Sequence, residues 1–200
     1  GAAILGFVLW GRALFCGWLC PFGAMQEFAH HVGRLLRLPE VTVPARWDTR
    51  LKRLKYLVLA GLVALIFVAP GALDTAVEVE PFKTAVTTYF LREWYYVAYA
   101  VGLLVLSAVV FKGFCRYLCP LGALMALGGL LRGRDWIARR AECGSPCQLC
   151  AVRCKYQAIP RSGRVDYAEC FGCLDCVKIH DDPAQCVPLV LKARDRKRAA

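Results

Sequence analysis

Eight cysteines fall between Cys143 and Cys186 in two tight runs: Cys143, Cys147, Cys150 and Cys154, then Cys170, Cys173, Cys176 and Cys186. Thiolates two or three residues apart suit the corners of an iron–sulfur cubane, because a short loop turns each sulfur toward a common centre. Where a chain holds two such clusters, the fourth ligand of each comes from the other run. On that pattern Cys143, Cys147, Cys150 and Cys186 hold one 4Fe-4S cluster, and Cys154, Cys170, Cys173 and Cys176 hold a second. Structural zinc instead takes cysteine pairs separated by a longer spacer. Disulfides need an oxidising compartment, and the loop charges considered below argue against one. The runs depart from the common two-cluster pattern at three places. Lys155 stands where proline often follows, the first gap is three residues, and Val187-Pro188 follows Cys186. These change loop shape more than ligand number. Gln157-Ala158-Ile159 reads as a short strand after the first run, and His180 as a donor near the second rather than a ligand.

Four more cysteines belong to a repeat. Phe15-Cys16-Gly17-Trp18-Leu19-Cys20-Pro21-Phe22-Gly23-Ala24 recurs as Phe114-Cys115-Arg116-Tyr117-Leu118-Cys119-Pro120-Leu121-Gly122-Ala123. On a helix, Cys16 and Cys20 share a face, as do Cys115 and Cys119. Pro21 and Pro120 open the local hydrogen-bond ladder, so four thiols can converge at a pseudo-symmetric interface. Three roles suit them: a dithiol/disulfide couple, a soft-metal site such as copper(I), or further cluster ligation. The plainer alternative is that they pack as small apolar side chains. His30 and His31 invite haem or quinone, but adjacent histidines beside a basic loop read as surface residues.

The elements that must carry these residues are strongly apolar. The 200-residue chain allows one or two domains. It is 58% hydrophobic and 20% charged, with a net charge of +11. It begins at Gly1 inside an apolar run, which reads as a fragment of a longer protein. Gly1–Trp10 lacks the basic start and cleavage site of a signal peptide and reads as the end of a membrane helix. Tyr56–Leu73 and Trp94–Phe111 are uncharged and long enough to span a bilayer, the second opened by the interface-type cluster Trp94-Tyr95-Tyr96. Met25–Leu38 is amphipathic, suited to lying along a membrane surface. The 34–55 loop has seven basic residues (Arg34, Arg37, Arg46, Arg50, Lys52, Arg53, Lys55), whereas the 74–93 loop has two, Lys83 and Arg92. The positive-inside rule then puts the first loop and the cysteine-rich end in the cytoplasm. No DNA-reading motif accompanies the charge, so direct nucleic-acid binding is not expected.

The expected architecture is therefore a mainly α membrane protein. It has about three transmembrane helices plus interfacial helices over 1–141, and a small cytoplasmic α+β two-cluster ferredoxin-like domain over 142–190. A basic, disordered tail over 191–200 follows. The expected location is the bacterial inner membrane.

Taken together, the paired Phe-Cys-x-aromatic-Leu-Cys-Pro motifs, Glu142-Cys143-Gly144-Ser145-Pro146-Cys147-Gln148-Leu149-Cys150 and Cys170-Phe171-Gly172-Cys173-Leu174-Asp175-Cys176 resemble the C-terminal half of the NosR/NirI family. Val79-Glu80-Pro81-Phe82-Lys83-Thr84-Ala85 and Arg92-Glu93-Trp94 are similar to its outer loop. The resemblance implies a membrane iron–sulfur flavoprotein whose FMN lies in an N-terminal periplasmic domain. It implies support of nitrous oxide reductase by electron supply or activation, and expression of its operon. A quinol or another reductant would be the donor, and a periplasmic reductase or its maturation factors the partners. Relatives with the same paired motif include NapH-type quinol dehydrogenase subunits of periplasmic nitrate reductase systems and CcoG-type copper reductases. These suggest a quinol-oxidising or copper-handling role as the alternative.

Overall fold

The computed structural model describes residues 12–69, 71, 78, 80–130 and 135–199. The expected membrane helix over Gly1–Trp10 lies outside them. Among the described residues ten α-helical segments follow in order: α1 Arg12–Leu14, α2 Pro21–Leu35, α3 Ala45–Leu51, α4 Leu54–Val68, α5 Trp94–Val109, α6 Gly113–Tyr117, α7 Pro120–Leu130, α8 Leu149–Arg153, α9 Asp175–Asp181 and α10 Val187–Ala199. Two π-helical turns, Phe15–Leu19 and Lys83–Thr87, interrupt the series.

Both repeat prolines open helices. Pro21 starts α2 and Pro120 starts α7, where a missing backbone N–H leaves nothing unpaired. The buried positions of α2 are Phe22, Gly23, Gln26, His30 and Gly33, and Phe22, Gln26, His30 and Gly33 recur at helical spacing on one face. That face packs on α5. Gly33 lets the two backbones meet, since a Cβ there would lie 2.7 Å from the Ala108 carbonyl oxygen. Ser107 on α5 donates to Gln26 Oε1 at 3.0 Å. One face of the amphipathic stretch read as lying on a membrane surface is thus covered by protein, while its Phe28, Val32, Leu35 and Leu36 side chains are exposed. α4 packs along α7.

Several expectations are corrected here. No helix among the described residues is long and apolar enough to cross a membrane. The two apolar stretches form helices of 15 and 16 residues, which at 1.5 Å per residue reach about 23 and 24 Å, against about 30 Å of bilayer core. α4 stops because Ala69, ahead of Pro70, leaves the helical region at φ −147°, as a residue before proline tends to. α5 ends because Val110 is extended and Lys112 turns left-handed at φ 49°. There the Val109 carbonyl accepts the Val41 N–H at 3.1 Å.

The α+β ferredoxin-like domain is also not found. The described residues contain no strand, only one isolated bridge between Cys143 and Cys147. Gln157, expected in a strand, sits at φ 48°. Lys52 Nζ donates to the Tyr156 and Gln157 oxygens at 3.1 and 3.4 Å, and the Ala158 oxygen takes the Asp166 N–H at 2.7 Å across a loop. The tail is helical too, in α10, with Lys192 paired to Glu142 at 3.3 Å.

Candidate metal centre

The loop from Cys170 to Cys176 is shaped by two left-handed residues, Gly172 at φ 64° and Leu174 at φ 63°. They reverse the backbone twice within seven residues and turn the thiols the same way. Cys170, Cys173 and Cys176 line one small cavity together with Cys154 from the end of α8. The remaining wall is largely apolar, including Ile137, Tyr156, Ile159, Val165 and Ile179. Two backbone donors reach sulfur at 3.4 Å: Ala158 N–H to Cys154 Sγ and Gly172 N–H to Cys170 Sγ. Burial pushes the Cys176 thiol up to about 12, and the thiols of Cys170, Cys173 and Cys150 add to it, against a pull from Arg139. Four thiols in a largely apolar pocket, Cys170 buried, Cys154 and Cys176 half-buried and Cys173 exposed, with amide donors beside them, fit the chemistry of an iron–sulfur cubane. Among the described residues no three His, Cys, Asp or Glu side chains converge on a single ion. A cubane does not ask for that, because each sulfur binds a different iron.

The other expected set is arranged differently. Cys143 and Cys147 share the isolated bridge, with the Gly144 N–H donating to the Cys147 carbonyl at 2.9 Å. Gly144 at φ 103° presses on Gly163 at φ 79°, and a Cβ on either would strike the other's backbone. Cys150, on α8, also lines the cavity of the second set, and its Sγ lies 3.9 Å from the Cys176 carbonyl. Cys186 precedes α10 and accepts from Arg140 Nη1 at 3.2 Å. His180 has its carbonyl on that same Arg140, while its ring meets Asp181 at 2.7 Å.

Both repeat copies build the same turn. The second cysteine's N–H reaches back five residues, Cys20 to the Phe15 oxygen at 2.8 Å and Cys119 to the Phe114 oxygen at 3.0 Å. Cys16, Cys115 and Cys119 are buried and Cys20 is half-buried, with Phe22 and Phe114 meeting edge to face at 5.7 Å beside them. Burial pushes the Cys16 thiol up to about 11, opposed by Arg12 and reinforced by Cys119 and Cys20. Cys119 is raised by its contact with the Cys115 thiol, by burial, and by Glu80. The Cys119 sulfur lies 3.9 Å from Glu80 Oε1.

Buried cations tie the two regions together, and sequence reasoning missed them. Arg12 is fully buried. It donates to the Cys115 carbonyl, to the Ala168 carbonyl at 3.2 Å and to Glu169 at 3.5 Å, with its guanidinium 4.0 Å over the Phe171 ring. Lys55, also fully buried, meets Glu169 Oε1 at 2.6 Å. Asp48 accepts from Tyr117 and forms ion pairs with Lys52 and Arg116, each at 2.7 Å. Burial alone would raise its carboxyl, but the bonds from Lys52 and Tyr117 and the charge of Arg116 hold it below the usual range. Among the described residues the buried cations Arg12, Lys52, Lys55, Lys112 and Arg116 outnumber the buried carboxylates Asp48 and Glu169. Lys52 and Lys55, which looked like flags of a cytoplasmic loop, are therefore interior partners of the cysteine-bearing segments, whereas Arg34, Arg37, Arg46, Arg50 and Arg53 are exposed. His30, expected at the surface, is buried against Phe111 with ring centroids 4.9 Å apart, while His31 is exposed. The helical spacing Phe22, Gln26, His30 was the signal that could have placed it.

Two family profiles match the chain: one described as NosR over residues 141–197, and one described as a 4Fe-4S binding domain over residues 1–39 and 94–139. No solved structure matches. The regulatory protein NosR of Pseudomonas aeruginosa is 50% identical over 193 residues, covering 96% of this chain and 27% of that protein. Protein NirI of Paracoccus denitrificans is 42% identical over 198 residues, covering 99% of this chain and 29% of its own length. The chain therefore spans under a third of these curated relatives. A shorter regulatory protein NosR from Pseudomonas aeruginosa is 48% identical over 86 residues, 43% of this chain and 86% of that one. With the paired motifs inside the profile described as a 4Fe-4S binding domain and both cysteine runs inside the one described as NosR, the chain belongs to the NosR/NirI family.

Proposed function

We propose that this chain is the electron-transfer part of a longer protein that supports nitrous oxide reductase, by electron supply or activation and through expression of its operon. Two 4Fe-4S clusters are assigned, one to Cys143, Cys147, Cys150 and Cys186, the other to Cys154, Cys170, Cys173 and Cys176. The observation that carries the reading is the cavity in which Cys154 joins Cys170, Cys173 and Cys176 from a separate segment. When bound, a 4Fe-4S cluster takes up and releases one electron at a time. The protein's own residues supply the rest. Apolar walls limit water on the buried side, and the N–H groups of Ala158 and Gly172 point at sulfur, favouring the more negative, reduced state. The surplus of buried Arg and Lys offsets negative charge on thiolates and clusters. A quinol or cytoplasmic reductant is the proposed donor, and an FMN held elsewhere in the longer protein or a periplasmic reductase the proposed acceptor.

The whole protein is placed, as part of this proposal, at the bacterial inner membrane with its cysteine centres on the cytoplasmic side. Exposed apolar side chains such as Phe67, Val68, Trp94 and Val105 support that location; recovery of the full-length protein in the soluble fraction argues against it.

The test is full-length protein purified without oxygen, assayed for iron and sulfide. Cys173→Ser should lose about four irons per chain relative to the parent, and a strain carrying it should accumulate nitrous oxide. Unchanged iron sinks the ligand assignment. Lost iron with normal nitrous oxide consumption sinks the physiological role.

A further inference from the structure

We propose that the open cleft between residues 40–56 and 151–169 is the docking site of an acidic, soluble one-electron carrier protein, placed so that electrons enter beside Cys154. The proposal rests on the reading of Cys154, Cys170, Cys173 and Cys176 as the ligands of one cluster, and it names the kind of reductant that would serve them.

The cleft has a volume of about 940 Å³. α3 and the start of α4 form one wall, and the stretch from Ala151 to Arg161 forms the other. The walls are tied together at the polar backbone. Gln157 Nε2 donates to the Val43 oxygen at 3.0 Å, Lys52 Nζ to the Tyr156 oxygen at 3.1 Å, and Arg116 to the Lys155 oxygen at 3.1 Å. Cys154 lines this cleft and also lines the inner cavity that it shares with Cys170, Cys173 and Cys176. Arg153 and Ile159 belong to both spaces as well. One layer of residues therefore stands between the candidate cluster site and the open cleft, and a candidate ligand is part of that layer.

The charge of the cleft is unevenly spent. Six cations line it, Lys52, Arg53, Arg116, Arg153, Lys155 and Arg161, against the carboxylates Glu40, Asp48, Asp166 and Glu169. Asp48 is paired with Lys52 and Arg116, Glu169 with Lys55 and Arg12, and Glu40 with Arg34 at 3.0 Å. Asp166 takes the Ala168 N–H at 3.0 Å. Arg53, Arg153, Lys155 and Arg161 are exposed, and among the described residues they form no ion pair. The unpaired positive charge thus stands at the rim, on both walls, while Lys52 and Arg116 below it are committed to Asp48. A nucleotide or another small anion calls for the reverse, with unpaired cations converging at the floor. A quinol is largely apolar and has no use for the charge. A rim of unpaired Arg and Lys instead meets the surface of a second protein and steers an acidic one toward it. Val152, 82% exposed, and Val41, 50% exposed, stand among these charges and supply the apolar contacts that a protein interface sets within a polar rim.

Electron number narrows the class of carrier. A 4Fe-4S cluster takes up one electron at a time, so a carrier that gives up one electron per encounter balances it with no further reactant. A hydride donor would need an intermediary to split its electron pair.

The experiment uses full-length protein purified without oxygen, with an acidic ferredoxin as the carrier. Binding is read by calorimetry and reduction by stopped-flow absorbance. Affinity should fall by about tenfold or more between low and physiological ionic strength. Arg53→Glu with Arg161→Glu should lose about as much affinity at low salt while keeping all its iron. That variant should be reduced more slowly by reduced ferredoxin, yet no more slowly by reduced methyl viologen, a small cation. Salt-independent binding by the parent overturns the proposal, as does a folded double variant that binds like its parent, or displacement of the ferredoxin by FMN or NADH. If the double variant does not fold, Arg161→Gln alone should still weaken binding, and unchanged binding overturns the proposal. Unchanged iron in Cys173→Ser, with salt-dependent binding intact, would instead count against the cluster assignment alone.

Discussion

Glu169 is the residue on which much of the internal electrostatics turns. It precedes Cys170 and receives Lys55 and Arg12, both without solvent exposure. Burial and the nearby Arg12 charge pull the Lys55 ammonium down to about 8, against the opposing influence of Glu169. Removing one partner of a buried ion pair leaves a charge with nothing to offset its lost hydration. Glu169→Gln is therefore expected to cost about 3–5 kcal/mol, read by chemical denaturation of anaerobically prepared protein. Adding Lys55→Met should restore part of that loss. A Glu169→Gln protein as stable as its parent would mean that both cations have other partners. None of this was legible in the sequence, where Lys55 looked like one of seven loop cations. A residue's sign is written in the chain, but its burial depends on what packs over it.

At the scale of elements, the α2–α5 contact decides where the first motif copy stands. Gly33 has no room for a side chain against the Ala108 carbonyl, and the Gln26–Ser107 bond lies on the same buried face. Gly33→Val should force the helices apart and cost about 1–3 kcal/mol, seen as a lower midpoint in thermal or denaturant unfolding. An unchanged midpoint would mean that α2 shifts freely on α5. The helical periodicity of 21–35 was readable in the sequence, including its start at Pro21. That the face of Phe22, Gln26, His30 and Gly33 meets α5 while Phe28, Val32 and Leu35 stay exposed was not. An amphipathic stripe is equally suited to lipid and to another helix, and only the partner distinguishes them.

For the molecule as a whole, the charge balance stands out. Five buried cations against two buried carboxylates leave a positive interior among the described residues, which suits a protein whose cysteine centres carry negative charge once thiolates and clusters are in place. The cysteine-rich end has no sheet and few large apolar side chains beyond those lining its cavity, so bound clusters should contribute much of its rigidity. Removing iron with a chelator should therefore expose residues 143–186 to proteolysis and amide exchange well before α5 and α7. Equal protection of both regions after iron removal would refute that coupling.

The sequence by itself determined the cysteine spacing, the duplicated motif and its helix-opening prolines, and these sufficed for the iron–sulfur chemistry and the family. Ligand spacing and proline geometry are local, so they survive without knowledge of the fold. Only the tertiary structure decided that the apolar stretches end after 15 and 16 residues, that Gln157 lies in no strand, and that Lys52 and Lys55 of the basic loop turn inward to Asp48 and Glu169. It also decided that the first Cys-x3-Cys-Pro copy lies against the Cys170–Cys173 loop, while Arg116 of the second reaches the Lys155 oxygen beside Cys154. Those outcomes depend on contacts between residues up to 157 positions apart, which no local pattern encodes.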